Sequence, residues 1–296
     1  GNAVAFAKTP TLDQLFQSSL FTTLQAHGTA VGLPSDGDIG NSEVGHNALG
    51  AGRIFDQGAK LVQNAIGDGT LYQGQAWQEI VSQVREQNTT LHFLGLLSDG
   101  NVHSHQDHLE AMVQRAQQDG VQCVRIHTLL DGRDVDEKSA EKYWERLKGL
   151  LAKLNSDTFD AKVASGGGRM VITMDRYEAD WEMVAKGWQT HVLGKADHSF
   201  EQAEAVLPGL RQVCQKSDQF LPSFVITENG QPVGSVQDGD AVIFFNFRGD
   251  RAIEISQAFT AASFDKFDRE RFPKVLYAGM MEYDGDNHIP ARYLVS

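Results

Sequence analysis

Apolar residues follow two alternating patterns from about residue 59 onwards. Continuous apolar runs of strand length predict buried strands over 91–97, 121–130, 161–164, 241–245 and 274–280. Between these runs apolar residues recur at helical spacing. The clearest case is 138–154, where one face carries Ala140, Tyr143, Trp144, Leu147 and Leu151. This alternation predicts an α/β fold in which helices flank both faces of a mostly parallel sheet.

The first 58 residues show a different pattern. A helix is predicted to begin at Thr9 as its cap, with Pro10 in the first turn, and to end at His27-Gly28. Its apolar face consists of Leu12, Leu15, Phe16 and Leu20. A second helix can start at Val44, and the glycine-containing segment 50–58 is interpreted as a connector at a domain boundary. Because α/β domains usually open with a strand, we expect the domain to begin upstream of this chain.

Composition narrows the possible partners. The formal charge of −13 argues against a nucleic-acid partner, since duplex binding requires many phosphate-neutralising Lys and Arg side chains. We expect no transmembrane segment, because no apolar run reaches 18 residues, and no signal peptide. The two cysteines, Cys123 and Cys214, are interpreted as buried thiols in a reducing cytoplasm.

Polar, glycine-rich and arginine-bearing segments directly follow the predicted strands. They are 98–100, 131–134, 165–169 and 246–251. In an open α/β sheet, ligands bind in the crevice beyond the carboxyl ends of the strands. We therefore expect these four loops to line one crevice, where local arginines can dominate despite the acidic total charge.

Ser42 lies in the segment Asp38-Ile-Gly-Asn-Ser-Glu-Val-Gly-His46. Gly40 and Gly45 allow close approach of the backbone to a ligand, and the start of a helix favours phosphate. The alternative is that Ser42 only caps the helix, since serine is a favoured N-cap residue. A serine nucleophile also needs a base or a metal ion, and no matching carboxylate motif lies nearby in the sequence.

The segment 101–108 brings His103, His105 and His108 close together in sequence. This spacing is compatible with a metal site, because imidazole is a common ligand. It is equally compatible with a histidine that donates to a phosphate or hydroxyl group, and with a polar loop at a helix start. The lack of an adjacent carboxylate cluster weakens the metal hypothesis.

Several arginines accompany the other loops. Arg133 could pair with a substrate carboxylate or phosphate, and Asp134 could relay a proton, unless the two form only an internal ion pair in a turn. Gly166–Gly168 could form an anion-binding nest, and Arg169 and Arg176, seven residues apart, would share a face if they lay on a helix. A flexible loop with surface arginines is the alternative.

The last predicted strand loop contains Arg248 and Arg251 in Asn246-Phe-Arg-Gly-Asp-Arg251. An adhesion role for Arg-Gly-Asp is discounted because the tripeptide follows a buried strand. With the earlier loops, five guanidinium groups are expected to surround one crevice: Arg133, Arg169, Arg176, Arg248 and Arg251. Because like charges repel, we expect an anionic ligand that carries both a carboxylate and a phosphate.

These motifs also resemble a known family. The run 37–53 closely resembles the phosphoserine segment of cofactor-independent phosphoglycerate mutases, and four further loops match the family's substrate loops in the family's order: 98–105, 131–134, 168–176 and 245–251. The resemblance covers nearly the whole chain. The segment Arg248-Gly-Asp-Arg251 is similar to that of the plant- and trypanosomatid-type branch.

The resemblance implies interconversion of 3- and 2-phosphoglycerate in glycolysis and gluconeogenesis, without 2,3-bisphosphoglycerate. It implies that Ser42 carries the phosphoryl group and that Asp134 carries a proton while glycerate reorients. The substrate-binding residues implied are His103, Arg133, Asp134, Arg169, Arg176, Arg248 and Arg251. We expect the protein to be a cytoplasmic monomer whose partner is the small-molecule substrate, 3- or 2-phosphoglycerate.

The family also implies two divalent metal ions, Mn²⁺ or alternatively Mg²⁺ or Co²⁺, with Ser42 as the one ligand from this chain. It implies part of an alkaline-phosphatase-like domain at 1–54, an inserted transferase domain over 55–285, and a linker at 286–296 that returns to the phosphatase-like domain. Family members are far longer, so the chain is expected to be truncated at both ends and inactive alone. The rival hypotheses are another phosphotransferase or phosphatase of the superfamily, and a non-enzymatic anion-binding fragment.

Overall fold

Within residues 2–296, which the computed structural model describes, eight strands form one sheet. The strands are β1 (Thr90–Leu97), β2 (Cys123–Leu130), β3 (Asp160–Gly168), β4 (His198–Phe200), β5 (Phe224–Glu228), β6 (Gln231–Pro232), β7 (Ala241–Phe244) and β8 (Leu276–Gly279). The helices are α1 (Ala3–Phe6), α2 (Pro10–Ser18), α3 (Ser42–Ala51), α4 (Gly58–Gly67), α5 (Thr70–Gln73), α6 (Gln75–Gln87), α7 (Gln106–Gln118), α8 (Ala140–Leu154), α9 (Trp181–His191), α10 (Val206–Val213) and α11 (Ile253–Thr260).

The strand order creates a switch point beside β1. The order across the sheet is β4-β5-β3-β2-β1-β7-β8, with β6 paired to β5. The five neighbouring strands β3, β2, β1, β7 and β8 run parallel to one another. Strand β5, on the other side of β3, runs antiparallel to β3. Strands β2 and β3 lie in succession on one side of β1, whereas β7 and β8, which come later in the chain, lie on its other side. A ligand crevice is therefore expected beyond the carboxyl ends of β1 and β7.

Helices cover both faces of the sheet, as the sequence predicted. On β1, Phe93 belongs to one buried cluster and Leu94 to another, because successive side chains in a strand point to opposite faces. The first cluster receives side chains of α6, α7 and α8, including Trp77, Met112 and Trp144. The second receives side chains of α9 and α11. The mixed α/β fold with a mostly parallel sheet is confirmed.

Strand β3 corrects the prediction of a glycine nest. The strand continues through Gly166–Gly168, which pair with Thr128–Leu130 of β2 instead of forming a loop. Gly166 is needed for this pairing, because a Cβ atom there would lie 2.3 Å from the Thr128 carbonyl oxygen. The backbone of this run is therefore engaged by the sheet and is not a free anion-binding site.

The N-terminal helix is shorter than its amphipathic pattern predicted. Helix α2 ends at Ser18 instead of His27-Gly28, although Pro10 occupies its first turn as expected. The Thr9 side chain makes no capping bond to the backbone and instead contacts Asp13. The side chains of the predicted apolar face are exposed to solvent: Leu12, Leu15, Phe16 and Leu20.

The segment that carries Ser42 is anchored to the remainder of the chain. Val44 of α3 is buried in the first core cluster. Asn101 donates to Asp38 over 2.8 Å, and the Gln57 backbone N–H donates to the Gly32 carbonyl oxygen over 3.0 Å. The first contact joins the loop before α3 to the loop after β1, and the second joins the segment before α3 to the start of α4.

Two further predictions concern the state of the cysteines and the presence of a membrane-spanning helix. Cys123 and Cys214 are free thiols, but they are half-buried and not fully buried. No helix in residues 2–296 combines the length and the apolar character needed to cross a membrane.

Candidate functional site

Ser42 is the first residue of α3 and not its cap. The cap is Asn41, whose side chain accepts from the Val44 backbone N–H over 3.1 Å. The Ser42 hydroxyl is therefore not used for capping, and its oxygen accepts from Arg248 Nη2 over 3.1 Å. The capping alternative is wrong. An exposed hydroxyl at the positive end of a ten-residue helix, beside a guanidinium group, can carry added negative charge.

The loops after β1 and β7 meet at the switch point. The Phe247 backbone N–H donates to the His103 carbonyl oxygen over 2.7 Å, which ties the two loops together. As a result, Arg248 extends from the β7 loop towards Ser42 although 206 residues separate them in sequence. The predicted crevice beyond the strand ends thus contains residues from three distant segments.

Asp250 is the common neighbour of three predicted site residues. Its carboxylate lies 3.0 Å from Arg248 Nη2, 3.4 Å from Arg176 Nη1 and 3.6 Å from His103 Nδ1. The last distance is too long for a hydrogen bond, and within residues 2–296 both His103 Nδ1 and Asp250 Oδ1 are buried without a partner. Buried polar atoms normally have partners, so these two indicate a place where a polar ligand atom fits.

His103 is held neutral by its surroundings. Burial lowers its pKa well below the usual value, and the positive charges of four arginines lower it further: Arg169, Arg248, Arg251 and Arg176. The same interactions show that these guanidinium groups lie around one imidazole. A neutral imidazole in this position can donate one hydrogen bond to an anion without adding charge.

Arg251 is also buried, and its guanidinium group donates through Nη1 to the Met174 carbonyl oxygen. Burial, followed by the charges of Arg169 and Arg176, lowers the pKa of Arg251 to about 10. The side chain stays charged at neutral pH, but the lowered pKa indicates an excess of positive charge that an anion would relieve.

Arg169 forms a separate ion-pair cluster beside these residues. It is 1% exposed, and its Nη1 atom lies 3.0 Å from Asp131 Oδ1 and 2.5 Å from Asp134 Oδ2. Asp131 also accepts from Ser98 Oγ over 2.6 Å and from the backbone N–H groups of Arg133 and Asp134. Asp131 therefore holds the loop in shape, and Arg169 fixes the carboxylate of Asp134.

The structure corrects three details of the sequence interpretation. The internal partner of Asp134 is Arg169, whereas Arg133 is exposed. Arg169 and Arg176 do not lie on a helix, since turns and bends connect them. Three of the five guanidinium groups also have carboxylate partners within the chain. Arg169 pairs with Asp131 and Asp134, Arg176 pairs with Asp250, and Arg248 pairs with Glu43 and Asp250.

Asp131 and Asp250 were not predicted as site residues. Both stand inside motifs that were singled out, directly beside the arginines of interest. The sequence feature that could have indicated them is an acidic residue within an arginine-bearing loop after a buried strand. The roles of Asp131 and Asp250 depend on contacts with residues more than 30 positions away, which the sequence pattern does not reveal.

The histidine-rich loop does not form a metal site. His105 caps α7 by accepting from the Asp107 backbone N–H, and burial lowers the pKa of His108 to about 4. Among residues 2–296, no group of three or more His, Cys, Asp or Glu side chains is arranged to hold a metal ion. The carboxylate of Glu43, next to Ser42 in sequence, instead lies 3.4 Å from Arg248 Nε.

Glu254 of α11 supports the segment that carries Arg176. Its Oε1 atom accepts from the Glu178 backbone N–H over 3.0 Å, and Oε2 is buried without a partner within residues 2–296. Burial and the neighbouring carboxylates of Asp175 and Glu178 raise the pKa of Glu254 to about 7. Between the ordinary pKa of 4.5 and about 7, the folded state keeps a proton that the unfolded state has lost.

Glu254→Gln is therefore expected to become more stable than the unaltered protein as pH rises. The contribution of Glu254 to stability falls through this window and levels off above pH about 7, whereas glutamine does not titrate. The advantage of Glu254→Gln should grow by about 1–2 kcal/mol between pH 5 and 8 in urea unfolding. Glu86→Gln, at an exposed position of α6, is the control. An equal change in both variants would contradict the assignment.

Comparison with known proteins identifies the family. The sequence profile of the family described as "BPG-independent PGAM N-terminus" matches residues 62–285. The chain belongs to this family. The resemblance found in the five motifs is thus confirmed.

Curated relatives and a solved structure agree with this assignment. The chain is 56% identical over 296 residues to a probable 2,3-bisphosphoglycerate-independent phosphoglycerate mutase of Leptospira interrogans, covering 100% of this chain and 54% of that protein. It is 50% identical over 297 residues to the 2,3-bisphosphoglycerate-independent phosphoglycerate mutase of Trypanosoma brucei brucei, covering 99% and 54%. An Arabidopsis thaliana protein of the same name is 50% identical over 298 residues, covering 100% of this chain and 53% of that protein.

The crystal structure described as Leishmania mexicana phosphoglycerate mutase at low cobalt concentration superposes with a TM-score of 0.94 at 48% identity. The match covers 99% of this chain and 54% of that one. The chain therefore spans about half the length of the relatives it matches. Plant and trypanosomatid proteins are among them, as the Arg248–Arg251 segment indicated.

Proposed function

We propose that this chain forms the phosphoserine and substrate-binding part of a 2,3-bisphosphoglycerate-independent phosphoglycerate mutase. The reaction is the interconversion of 3- and 2-phosphoglycerate in glycolysis and gluconeogenesis. The observation that carries the proposal is the contact between Arg248 Nη2 and Ser42 Oγ, at 3.1 Å, beside the buried pair His103 and Asp250. A candidate nucleophile and an anion-binding group meet there at the switch point of the sheet.

Ser42 is proposed to accept the phosphoryl group and return it to the other hydroxyl of glycerate. The positive charge of Arg248 and the N-terminus of α3 favour both the ionised hydroxyl and the phosphoserine. Substrate phosphate and carboxylate are proposed to bind to His103, Arg133, Arg169, Arg176, Arg248 and Arg251. Guanidinium groups suit this task because they bind such anions through two parallel hydrogen bonds.

Asp134 is proposed to carry a proton between the two glycerate hydroxyls. Its Oδ2 atom is paired with Arg169, and its side chain is only partly buried, so the carboxylate is both oriented and accessible. A carboxylate within hydrogen-bond reach of both hydroxyls can accept the proton of one and return it to the other. Loss of Asp134 should therefore impair transfer without preventing substrate binding.

The proposal also includes the domain organisation, the metal ions and the location of the protein. Residues 1–54 are assigned to part of a phosphatase-like domain, residues 55–285 to an inserted transferase domain, and residues 286–296 to a linker that returns to the phosphatase-like domain. Two divalent ions, Mn²⁺ or alternatively Mg²⁺ or Co²⁺, are assigned to ligands outside this chain together with Ser42. A cobalt-containing condition for the Leishmania mexicana relative supports a divalent-ion requirement. The protein is proposed to be a cytoplasmic monomer without nucleic-acid or membrane partners.

The test is a mutase assay of the full-length protein that contains this sequence. Conversion of 3-phosphoglycerate should proceed without added 2,3-bisphosphoglycerate, stop in the presence of a chelator, and release little free phosphate. Rapid quenching followed by mass spectrometry should find phosphate on Ser42. Residues 1–296 alone should show no turnover.

Each alternative has a distinct result. Stoichiometric release of free phosphate would indicate a phosphatase of the same superfamily. Binding of phosphoglycerate without turnover or phosphoserine would indicate a non-enzymatic anion-binding protein. Dependence on added 2,3-bisphosphoglycerate would contradict the proposed mechanism.

A further inference from the structure

A continuous chain of buried hydrogen bonds crosses the sheet behind the arginine site. Its links measure 3.0 Å from Thr173 Oγ1 to His191 Nε2, 2.7 Å from His191 Nδ1 to Ser165 Oγ and 2.6 Å from Ser165 Oγ to His127 Nδ1. They continue for 2.9 Å from His127 Nε2 to His92 Nδ1 and 3.0 Å from His92 Nε2 to Asp240 Oδ2. All six residues are at most 4% exposed.

The direction of these bonds follows from the carboxylate at one end. Asp240 accepts two backbone N–H groups, from Thr90 over 2.9 Å and Gln237 over 2.7 Å, so both of its oxygens act as acceptors. His92 then donates to Asp240 through Nε2, and the Nδ1 atom of a ring with one N–H accepts from His127 Nε2–H. The same reasoning applied to each link makes Ser165 donate to His127, His191 donate to Ser165, and Thr173 donate to His191.

This arrangement uses every available hydrogen once. With one N–H on each of the three histidine rings, each link has one donor hydrogen and one acceptor. Burial lowers the pKa of His191 to about 3 and lowers that of His127 well below its usual value, in agreement with neutral rings. The chain therefore has one direction, from Thr173 to Asp240, and it fixes where the Thr173 hydroxyl hydrogen points.

Thr173 needs such support because its backbone is strained. Its φ angle is 71°, in the left-handed region that β-branched residues rarely adopt. Helix α9 can approach it closely only because residue 187 is glycine, where a Cβ atom would lie 2.2 Å from Thr173 Oγ1. The Thr173 backbone N–H donates to the Met183 carbonyl oxygen over 2.9 Å.

The strained residue begins the segment that holds the anion site. Met174, the next residue, offers its carbonyl oxygen to the guanidinium group of Arg251. Arg176 follows two positions later and contacts Asp250 over 3.4 Å. A change in the Thr173 conformation would therefore displace the partner of Arg251 and the backbone of Arg176 together.

We propose that the hydrogen-bond chain Thr173-His191-Ser165-His127-His92-Asp240 is a positioning device that holds segment 173–176 for anion binding. Its residues touch no substrate and act through Arg176 and Arg251. The inference rests on the proposed function insofar as the anion is phosphoglycerate, whereas the direction of the chain is a property of the protein itself.

The direction is tested without any activity measurement. Long-range ¹H–¹⁵N NMR of the histidine-labelled protein should find His92 and His127 protonated at Nε2 and His191 protonated at Nδ1, with the His127 and His191 rings neutral from pH 6 to 8. A His191 ring protonated at Nε2, or a charged ring in this range, would overturn the proposal. This measurement uses the unaltered protein and is decisive even where a variant fails to fold.

The positioning role is tested with Thr173→Val, which keeps the branched shape but removes the hydroxyl donor. We expect KM for 3-phosphoglycerate to rise about 10-fold with kcat within about threefold, because anion binding is weakened equally in ground and transition states. Thr173→Ser should restore KM. The matched control is Thr190→Val, since the Thr190 hydroxyl is buried on α9 but donates only to the Lys186 carbonyl oxygen.

Calorimetric titration with inorganic phosphate separates this inference from the proposed function. Weaker phosphate binding in Thr173→Val, but not in Thr173→Ser or Thr190→Val, would support positioning even if the protein proves not to be a mutase. Equal phosphate affinity and equal KM in Thr173→Val and Thr173→Ser would overturn the positioning role even if mutase activity is confirmed.

Discussion

Replacing Ser42 with alanine is expected to lower phosphoglycerate isomerisation by about 10⁴-fold or more, because the proposed mechanism would lose its nucleophile and could not form a phosphoenzyme. Binding of 3-phosphoglycerate should persist, since the guanidinium groups remain. The measurements are kcat in a coupled assay, substrate affinity by calorimetry, and the absence of labelled phosphoserine after quenching.

Ser42→Ala separates an effect on activity from an effect on stability, because the Ser42 hydroxyl does not cap α3. Asn41 supplies the cap, and Ser42 is exposed, so the variant should lose less than about 0.5 kcal/mol of stability. Ser35→Ala removes another exposed hydroxyl from the same loop and serves as the control, with activity expected to be unchanged. Retained turnover in Ser42→Ala would eliminate the phosphoserine mechanism.

The sheet could be predicted from the sequence because its central strands are buried on both faces. The continuous apolar runs at β1 and β2 therefore stood out, and the alternating helices fixed the parallel architecture. Strand β3 was predicted too short because its last three residues are glycine, which has low strand propensity. Gly166 is required by the close approach of Thr128, a contact that only the folded sheet reveals.

The N-terminal helix was extended too far for the opposite reason. Amphipathic spacing reports what a helix would bury, but it does not report that a surface is present to bury it. Leu20 follows the end of α2 and is exposed, as are Leu12 and Phe16 within it. Periodicity without a packing partner does not stabilise a helix, since most helical stability comes from tertiary contacts.

The positions of the site loops were predictable, whereas the pairing within them was not. The strand-end rule brought His103, Arg248 and Arg251 to one crevice, and the fold confirms that location. The partners of these side chains depend on contacts between residues far apart in sequence. Arg169 pairs with Asp134 across 35 positions, and Asp250 contacts Arg176 across 74. Loop residues of this kind are oriented by tertiary structure and not by local pattern.

Arg169→Leu is expected to destabilise the protein by about 3–5 kcal/mol, because it leaves the buried carboxylate of Asp131 and its neighbour Asp134 without their shared cation. The side chains of Arg169 and Asp131 are each 1% exposed, so water cannot replace the lost charge. Urea unfolding measures the loss. Where the variant remains folded, KM for 3-phosphoglycerate should also rise because a proposed anion-binding group is lost, and kcat should fall because Asp134 loses its orientation.

The chain offers a matched control with the same charge arrangement at the surface. Arg146 also bridges two carboxylates, those of Asp107 and Glu110, but its side chain is 46% exposed. Arg146→Leu should therefore change stability by less than about 1 kcal/mol, since solvent reaches the Arg146 guanidinium group and the less exposed Glu110 keeps its hydrogen bond from Gln106 Nε2. Burial, and not the number of ion pairs, makes Arg169 critical. Similar losses in the two variants would contradict that argument and would reduce Arg169 to an ordinary ion-pair partner.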